Sequence, residues 1–217
     1  MSVLSSILAQ TPPWSHATAR AVCQSTNAVM FGLNDPKSCL TSNRAVIVLA
    51  SCTETANFNN PTGLQISIFQ YGSFVDSIRN VQQPPQCDFV LYTPLFSHVL
   101  LAEIKVAKTG RIGNHRTKAQ KQLQRTLADF LNLPNVQNKL SLARERTCAF
   151  FHRPPSSLSL TGNQVRAANT FHRIDRITSQ MDTHGCNLNG IPKKYSPIQS
   201  LGFEYWEFPN NHVYVFN

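Results

Sequence analysis

The sequence predicts an α/β protein in which a mixed central sheet is flanked by helices. Three observations carry that reading. Apolar, β-branched and aromatic runs at residues 44–51, 63–71, 89–92, 98–106 and 147–152 have the length and composition of strands. Between the last two lie residues 117–131, where Ala119, Leu123, Leu127, Phe130 and Leu131 recur at helical spacing. A hydrophobic content of 41% in 217 residues is enough to build the core of one domain.

Taken in order, residues 1–14 read as an N-terminal arm closed by Pro12-Pro13, and residues 15–30 as a helix with Ala19, Val22, Cys23, Ala28 and Met30 as candidates for burial. Asn34-Asp35-Pro36 is a turn. Residues 44–51 read as a buried strand, and residues 57–62 (N-F-N-N-P-T) as a loop leading to the half-exposed strand 63–71. Residues 74–81 are a short helix or an extended link. Residues 82–86, with Pro84-Pro85, connect to Asp88.

After the strand ending at Lys105 comes a glycine- and base-containing loop, residues 106–114, and then the helix 117–131. Leu133-Pro134-Asn135 closes that helix, 136–145 is a further short helical piece, and 147–152 is a strand stopped by Pro154-Pro155. Residues 15–153 form the expected core. Residues 154–217 form an extension packed on the same domain: a polar loop at 156–162, an amphipathic helix at 163–181, a turn-rich linker at 182–196 and an aromatic hairpin around Pro209.

The segment from Cys87 to Lys105 concentrates the chemistry. Folded as a hairpin about Leu95-Phe96, it pairs residues whose numbers sum to 191, which sets Asp88 opposite Glu103. Alternation puts Glu103 and Lys105 on one face and Ala102 and Ile104 on the other. Two facing carboxylates repel, and a divalent cation bound between their oxygens removes that cost. The second acid-x-Lys of the chain, Asp35-Pro36-Lys37, lies in a turn. The alternative for the first is an ordinary strand end, with Asp88 capping a turn.

Charge is unevenly spread. Residues 1–100 carry four basic and four acidic side chains, and residues 101–200 carry sixteen and five. Between Lys105 and Arg125 stand seven basic residues and no acid. Such asymmetry favours a polyanionic partner, nucleic acid first and an acidic surface second. Lys118, Lys121, Gln122 and Arg125 share the polar side of the helix 117–131, and Lys108, Arg111 and Arg116 precede them. No apolar run approaches the length of a bilayer span, and residues 1–10 lack the features of a signal peptide. An intracellular protein, cytoplasmic or nuclear, is expected, with its six scattered cysteines reduced.

Asp88 followed by Glu103-Ile104-Lys105 on the next strand resembles the PD-(D/E)xK nuclease superfamily, with Cys87 where proline often precedes the first acid. The resemblance implies a restriction-endonuclease-like α-β-β-β-α-β core, covering residues 15–153 loosely and 87–153 more firmly. It implies that Asp88 and Glu103 bind Mg²⁺ or Mn²⁺, with the Ile104 carbonyl a further ligand, and that Lys105 positions the attacking water. Lys108, Arg111, Arg116, Lys118, Lys121, Gln122 and Arg125 would hold the nucleic acid, DNA before RNA, and a homodimer is compatible. The acid that the first core helix often supplies is missing from residues 15–30; Glu54 or Asp76 would substitute for it, or two carboxylates would suffice. Two other classes stay open: a non-catalytic nucleic-acid-binding protein in a packaging, silencing-suppressor or structural role, and an inactive nuclease-like scaffold for a protein partner. Zinc is disfavoured, because the C-x3-H and H-x-C spacings of Cys148, His152, His184 and Cys186 match no common structural pattern.

Overall fold

The computed structural model describes residues 3–9, 23–34, 56–77, 85–106, 112–153, 190–209 and 212–217. The expected strand 44–51, the helix 163–181, Glu54, Lys108 and Arg111 lie outside the described residues, as do His184 and Cys186.

The chain is a mixed α/β protein, and among the described residues its main sheet has seven strands. In chain order the elements are α1 (Val3–Ala9), β1 (Cys23–Thr26), β2 (Met30–Leu33), β3 (Ala56–Asn59), β4 (Ile66–Phe69), α2 (Tyr71–Ser77), β5 (Phe89–Tyr92) and β6 (His98–Val106). They continue with α3 (Ile112–Leu131), α4 (Pro134–Ser141), β7 (Glu145–Arg153), β8 (Ile191–Pro192), α5 (Ser196–Gln199), β9 (Glu204–Pro209) and β10 (Val213–Val215). The main sheet runs β1-β4-β5-β6-β7-β9-β8, and a three-stranded sheet runs β10-β3-β2. From β1 to β6 neighbouring strands are antiparallel; β6/β7 and β7/β9 are parallel, and β8 returns antiparallel to β9. A parallel neighbour needs a crossover, and α3 with α4 supplies the one from β6 to β7.

Alternation of side chains along β5, β6 and β7 divides the core in two. Val90, Tyr92, Val99, Leu101, Cys148 and Phe150 meet the helices, through Leu4 and Leu8 of α1, Phe74 of α2, and Leu123, Leu127 and Phe130 of α3. Phe89, Leu91, Leu100, Ala102, Ile104, Ala149 and Phe151 meet the small sheet. That second layer is aromatic: Phe31 stacks on Phe58 at 4.8 Å between ring centroids, and Phe151 on Phe208 at 4.6 Å. Among the described residues the helices therefore cover one sheet face, and strands cover the other.

Several expectations need correction. Residues 3–9 are not an arm: Leu4 and Leu8 are buried, four apart on one helix face, and the Leu4 N–H donates to the Tyr92 hydroxyl at 3.3 Å. Cys23–Thr26 is a strand, although it falls within the expected helix; Ser25 and Thr26 form helices poorly, and pairing with β4 decides. The expected loop 57–62 begins as β3, where Ala56 and Phe58 are buried between two partner strands. The C-terminal hairpin is absent, because β9 joins the main sheet beside β7 while β10 runs parallel to β3 in the small one.

Helix α3 begins five residues before the expected start at Thr117, its early turns held by an Arg116–Glu207 ion pair. Of the expected inward stripe Ala119, Leu123, Leu127 and Phe130 are buried and Leu131 is half-buried, and Thr126 joins the buried face. No described helix is long and apolar enough to cross a membrane.

Candidate active site

The β5–β6 hairpin has the expected register, with Phe89 opposite Ala102 and Val90 opposite Leu101. Its turn is closed by the Phe96 N–H donating to the Thr93 carbonyl at 2.8 Å. Phe96 takes a left-handed conformation (φ 56°), uncommon for an aromatic residue, while its buried ring stacks on Tyr92 at 4.6 Å. The register carries Asp88, just before β5, to the side of Glu103.

The two acids are built into each other's backbone. The Asp88 N–H donates to Glu103 Oε2 at 3.1 Å, and the Ile104 N–H donates to Asp88 Oδ2 at 2.9 Å. Lys105 closes the group: its Nζ lies 2.7 Å from Glu103 Oε1, 2.9 Å from the Ile104 carbonyl oxygen and 3.2 Å from Asp88 Oδ2. The 2.7 Å contact pairs the Lys105 ammonium with this buried carboxyl oxygen.

Glu103 is fully buried and Asp88 is 7% exposed. Burial pushes the Glu103 carboxyl well above the usual range, the neighbouring Asp88 charge adds to the rise, and the Lys105 ammonium opposes it. Two carboxylates thus stand side by side at a sheet end, held by one ammonium.

These residues fit a hard divalent cation. Asp88 Oδ2, Glu103 Oε1 and the Ile104 carbonyl converge on a single positive group, and oxygen donors of these types are what Mg²⁺ and Mn²⁺ take. Among the described residues no cluster of three or more His, Cys, Asp or Glu side chains forms a cage, so the protein's donors here are two carboxylates and a carbonyl. Asp76 is exposed on α2, and the charges acting on Glu103 are those of Asp88 and Lys105.

No family model matches the chain, and no solved structure matches it. Among curated proteins it is similar to the TelA-like protein SH1505 of Staphylococcus haemolyticus (strain JCSC1435), 27% identical over 118 residues. The match takes in 54% of this chain and 28% of that protein, so the chain spans less than a third of the relative's length. This likeness assigns no family.

The other expected site residues divide. Gln122 reaches the region from α3, but its Nε2 donates to the Gln86 carbonyl at 2.9 Å and holds the strand entry, not the carboxylates. Lys118, Lys121 and Arg125 are exposed on α3. Arg116 is committed to Glu207 of β9, Nε to Oε1 at 2.6 Å, and this pairing holds its guanidinium in the charged form.

Sequence reasoning missed the support around Asp88. The Thr126 hydroxyl accepts from the Cys87 N–H at 3.0 Å and donates to Gln86 Oε1 at 2.8 Å, while Gln86 Nε2 donates to Asp129 Oδ2 at 2.8 Å. Gly72 packs against the same strand entry: its N–H donates to the Asp88 carbonyl at 3.2 Å, and a Cβ there would stand 3.1 Å from the Cys87 carbonyl. It also missed Glu207, and it weighed His152 only as a zinc ligand. His152 is the β7 neighbour of Lys105 and is 6% exposed, with Nδ1 unpartnered. Burial lowers its pKa to about 4, against the pull of Glu207. A threonine facing inward from α3 was the one available signal, since the burial stripe ran through its position.

Proposed function

We propose that the chain is a divalent-metal-dependent endonuclease that hydrolyses phosphodiester bonds, with DNA favoured over RNA, on a restriction-endonuclease-like core. The observation that carries this reading is the convergence of Asp88, Glu103 and the Ile104 carbonyl on one cationic group at the end of adjacent strands. The succession β4-α2-β5-β6-α3-α4-β7, in which three antiparallel strands are followed by two helices and a strand parallel to the third, supports the core assignment. On this reading the resemblance drawn from Asp88 and Glu103-Ile104-Lys105 extends beyond a short string of letters.

Asp88, Glu103 and the Ile104 carbonyl would hold Mg²⁺ or Mn²⁺, which supplies Lewis-acid stabilisation and an activated water when bound. The protein's own part is positioning and charge. The crossed N–H bonds fix both carboxylates, and Lys105 supplies an ammonium for the developing charge on phosphate. Exposed Lys118, Lys121 and Arg125 would hold the nucleic-acid backbone through charge, with little sequence information. An intracellular setting follows from that partner, and a homodimer is compatible with it.

A second reading, a non-catalytic nucleic-acid-binding protein, is favoured by one observation: two carboxylates and no third meet at the centre among the described residues. Cleavage of supercoiled plasmid and of a structured single-stranded RNA, with Mg²⁺, Mn²⁺ or EDTA, separates the two. Metal-dependent cutting by the wild type that Glu103→Ala and Lys105→Ala abolish, with binding kept, supports the endonuclease and names the polymer. Tight binding without cutting under any metal favours the second reading.

A further inference from the structure

Lys105 does more than flank the carboxylates. Its ammonium stands among the three oxygens that would hold a metal, 2.7 Å from Glu103 Oε1, 2.9 Å from the Ile104 carbonyl and 3.2 Å from Asp88 Oδ2. An ammonium carries three donors and no acceptor, so this geometry suits it as a resident cation. A divalent ion makes much shorter bonds to the same oxygens, and two positive groups cannot share so small and so buried a space.

We infer that Lys105 and a divalent metal ion exchange at one cation site: the ammonium fills it in the metal-free protein and leaves it when the metal binds. The inference rests on the endonuclease reading only for the identity of the metal's donors. Two consequences belong to this chain's own residues. Without metal, Lys105 stabilises the fold by balancing a fully buried Glu103 and a nearly buried Asp88. An ammonium committed to those oxygens is not available to a substrate phosphate, so metal loading and the availability of Lys105 rise together. A site that cuts only when loaded would thereby keep its lysine withdrawn until loading.

The test measures binding of Mn²⁺ alone to the full chain, by calorimetry and by the resonance of free Mn²⁺, in wild type and Lys105→Met. Methionine keeps the unbranched apolar stem and removes the competing charge. The expected result is at least a ten-fold tighter Mn²⁺ affinity in Lys105→Met, with a lower melting temperature before metal is added and a larger rise after it. Equal or weaker affinity, or no binding by either protein, overturns the exchange.

A second measurement needs no variant and holds even where Lys105→Met fails to fold. Acylation of lysines in the wild type, read by mass spectrometry, should speed up several-fold at Lys105 on adding Mn²⁺ while Lys118 and Lys121 stay constant. An unchanged Lys105 rate contradicts the proposal. Failure of the two ideas is separable: a protein that exchanges but never cuts loses the endonuclease reading alone, and one that cuts without exchange loses only the inference.

Discussion

Asp88 and Glu103 are joined by crossed backbone bonds: the Asp88 N–H reaches the Glu103 carboxylate, and the N–H next to Glu103, that of Ile104, reaches the Asp88 carboxylate. Each acid therefore holds the strand that carries the other. Facing carboxylates would ordinarily push a strand pair apart. Here the two N–H donors and the Lys105 ammonium offset that repulsion without moving either acid out of the sheet end.

The strand entry that carries Asp88 depends on Thr126. Replacing it with valine keeps the shape but leaves the Cys87 N–H and Gln86 Oε1 without this partner, at a cost of about 1–3 kcal/mol. Urea denaturation of Thr126→Val should show that loss, with any cleavage activity falling further than Mn²⁺ affinity. A variant as stable as wild type contradicts the clamp.

Hydrogen bonding of this kind was not legible in the sequence, whereas the hairpin was. Residues summing to 191 did pair, because alternation and a Thr93-Pro94 break leave a strand pair little freedom of register. The helix stripe from Ala119 to Phe130 was legible for a similar reason. Strands β1, β2 and β3 were not: each has four residues, and their stability comes from partners distant in sequence, which no local pattern records. The two sheets that divide β9 from β10 were hidden in the same way, since aromatic strands separated by Pro-Asn-Asn also describe a hairpin. Among the site residues, Asp88, Glu103 and Lys105 were legible, while the commitment of Arg116 to Glu207 joined residues 91 positions apart.

Exposed Lys118, Lys121 and Arg125 make a quantitative prediction about salt. If all three lie on nucleic-acid phosphates, replacing each with glutamine should lower the slope of log affinity against log salt by about 0.9 per contact on duplex DNA. Fluorescence anisotropy from low to moderate salt measures it, and an unchanged slope removes α3 from the interface.

His152 gives a pH signature. Its folded pKa is depressed to about 4 by burial, below the ordinary value of 6.5, so between those values the unfolded chain binds more protons than the folded one. Its contribution to stability is full above about pH 6.5 and is lost as pH falls towards 4, amounting to about 3 kcal/mol at most. Glu207, Arg116 and His212 are the charged or titratable groups acting on it. Thermal denaturation from pH 7.5 to 4.5 should be flatter in His152→Leu than in wild type, and parallel curves contradict the assignment.

The turn at Phe96 separates backbone from side chain. Phe96→Ala loses the ring buried on Tyr92 and keeps a side chain in the left-handed region. Phe96→Gly loses the same ring but relaxes the backbone, so it should be the more stable of the two by about 1 kcal/mol. Chemical denaturation of both variants decides, and an alanine variant equal to or better than glycine contradicts the strain at this turn.

The most direct test of the central claim is metal-dependent cleavage by Asp88→Asn, beside wild type, with DNA binding and melting temperature measured on the same preparations. Asparagine keeps an oxygen for the Ile104 N–H, turns the other oxygen into an amide NH2 and removes the charge that a divalent cation and Lys105 share. The expected result is at least a hundred-fold loss of cutting with binding and folding intact. Cutting at the wild-type rate by Asp88→Asn would mean that the chemistry, whatever it is, does not happen between Asp88 and Glu103.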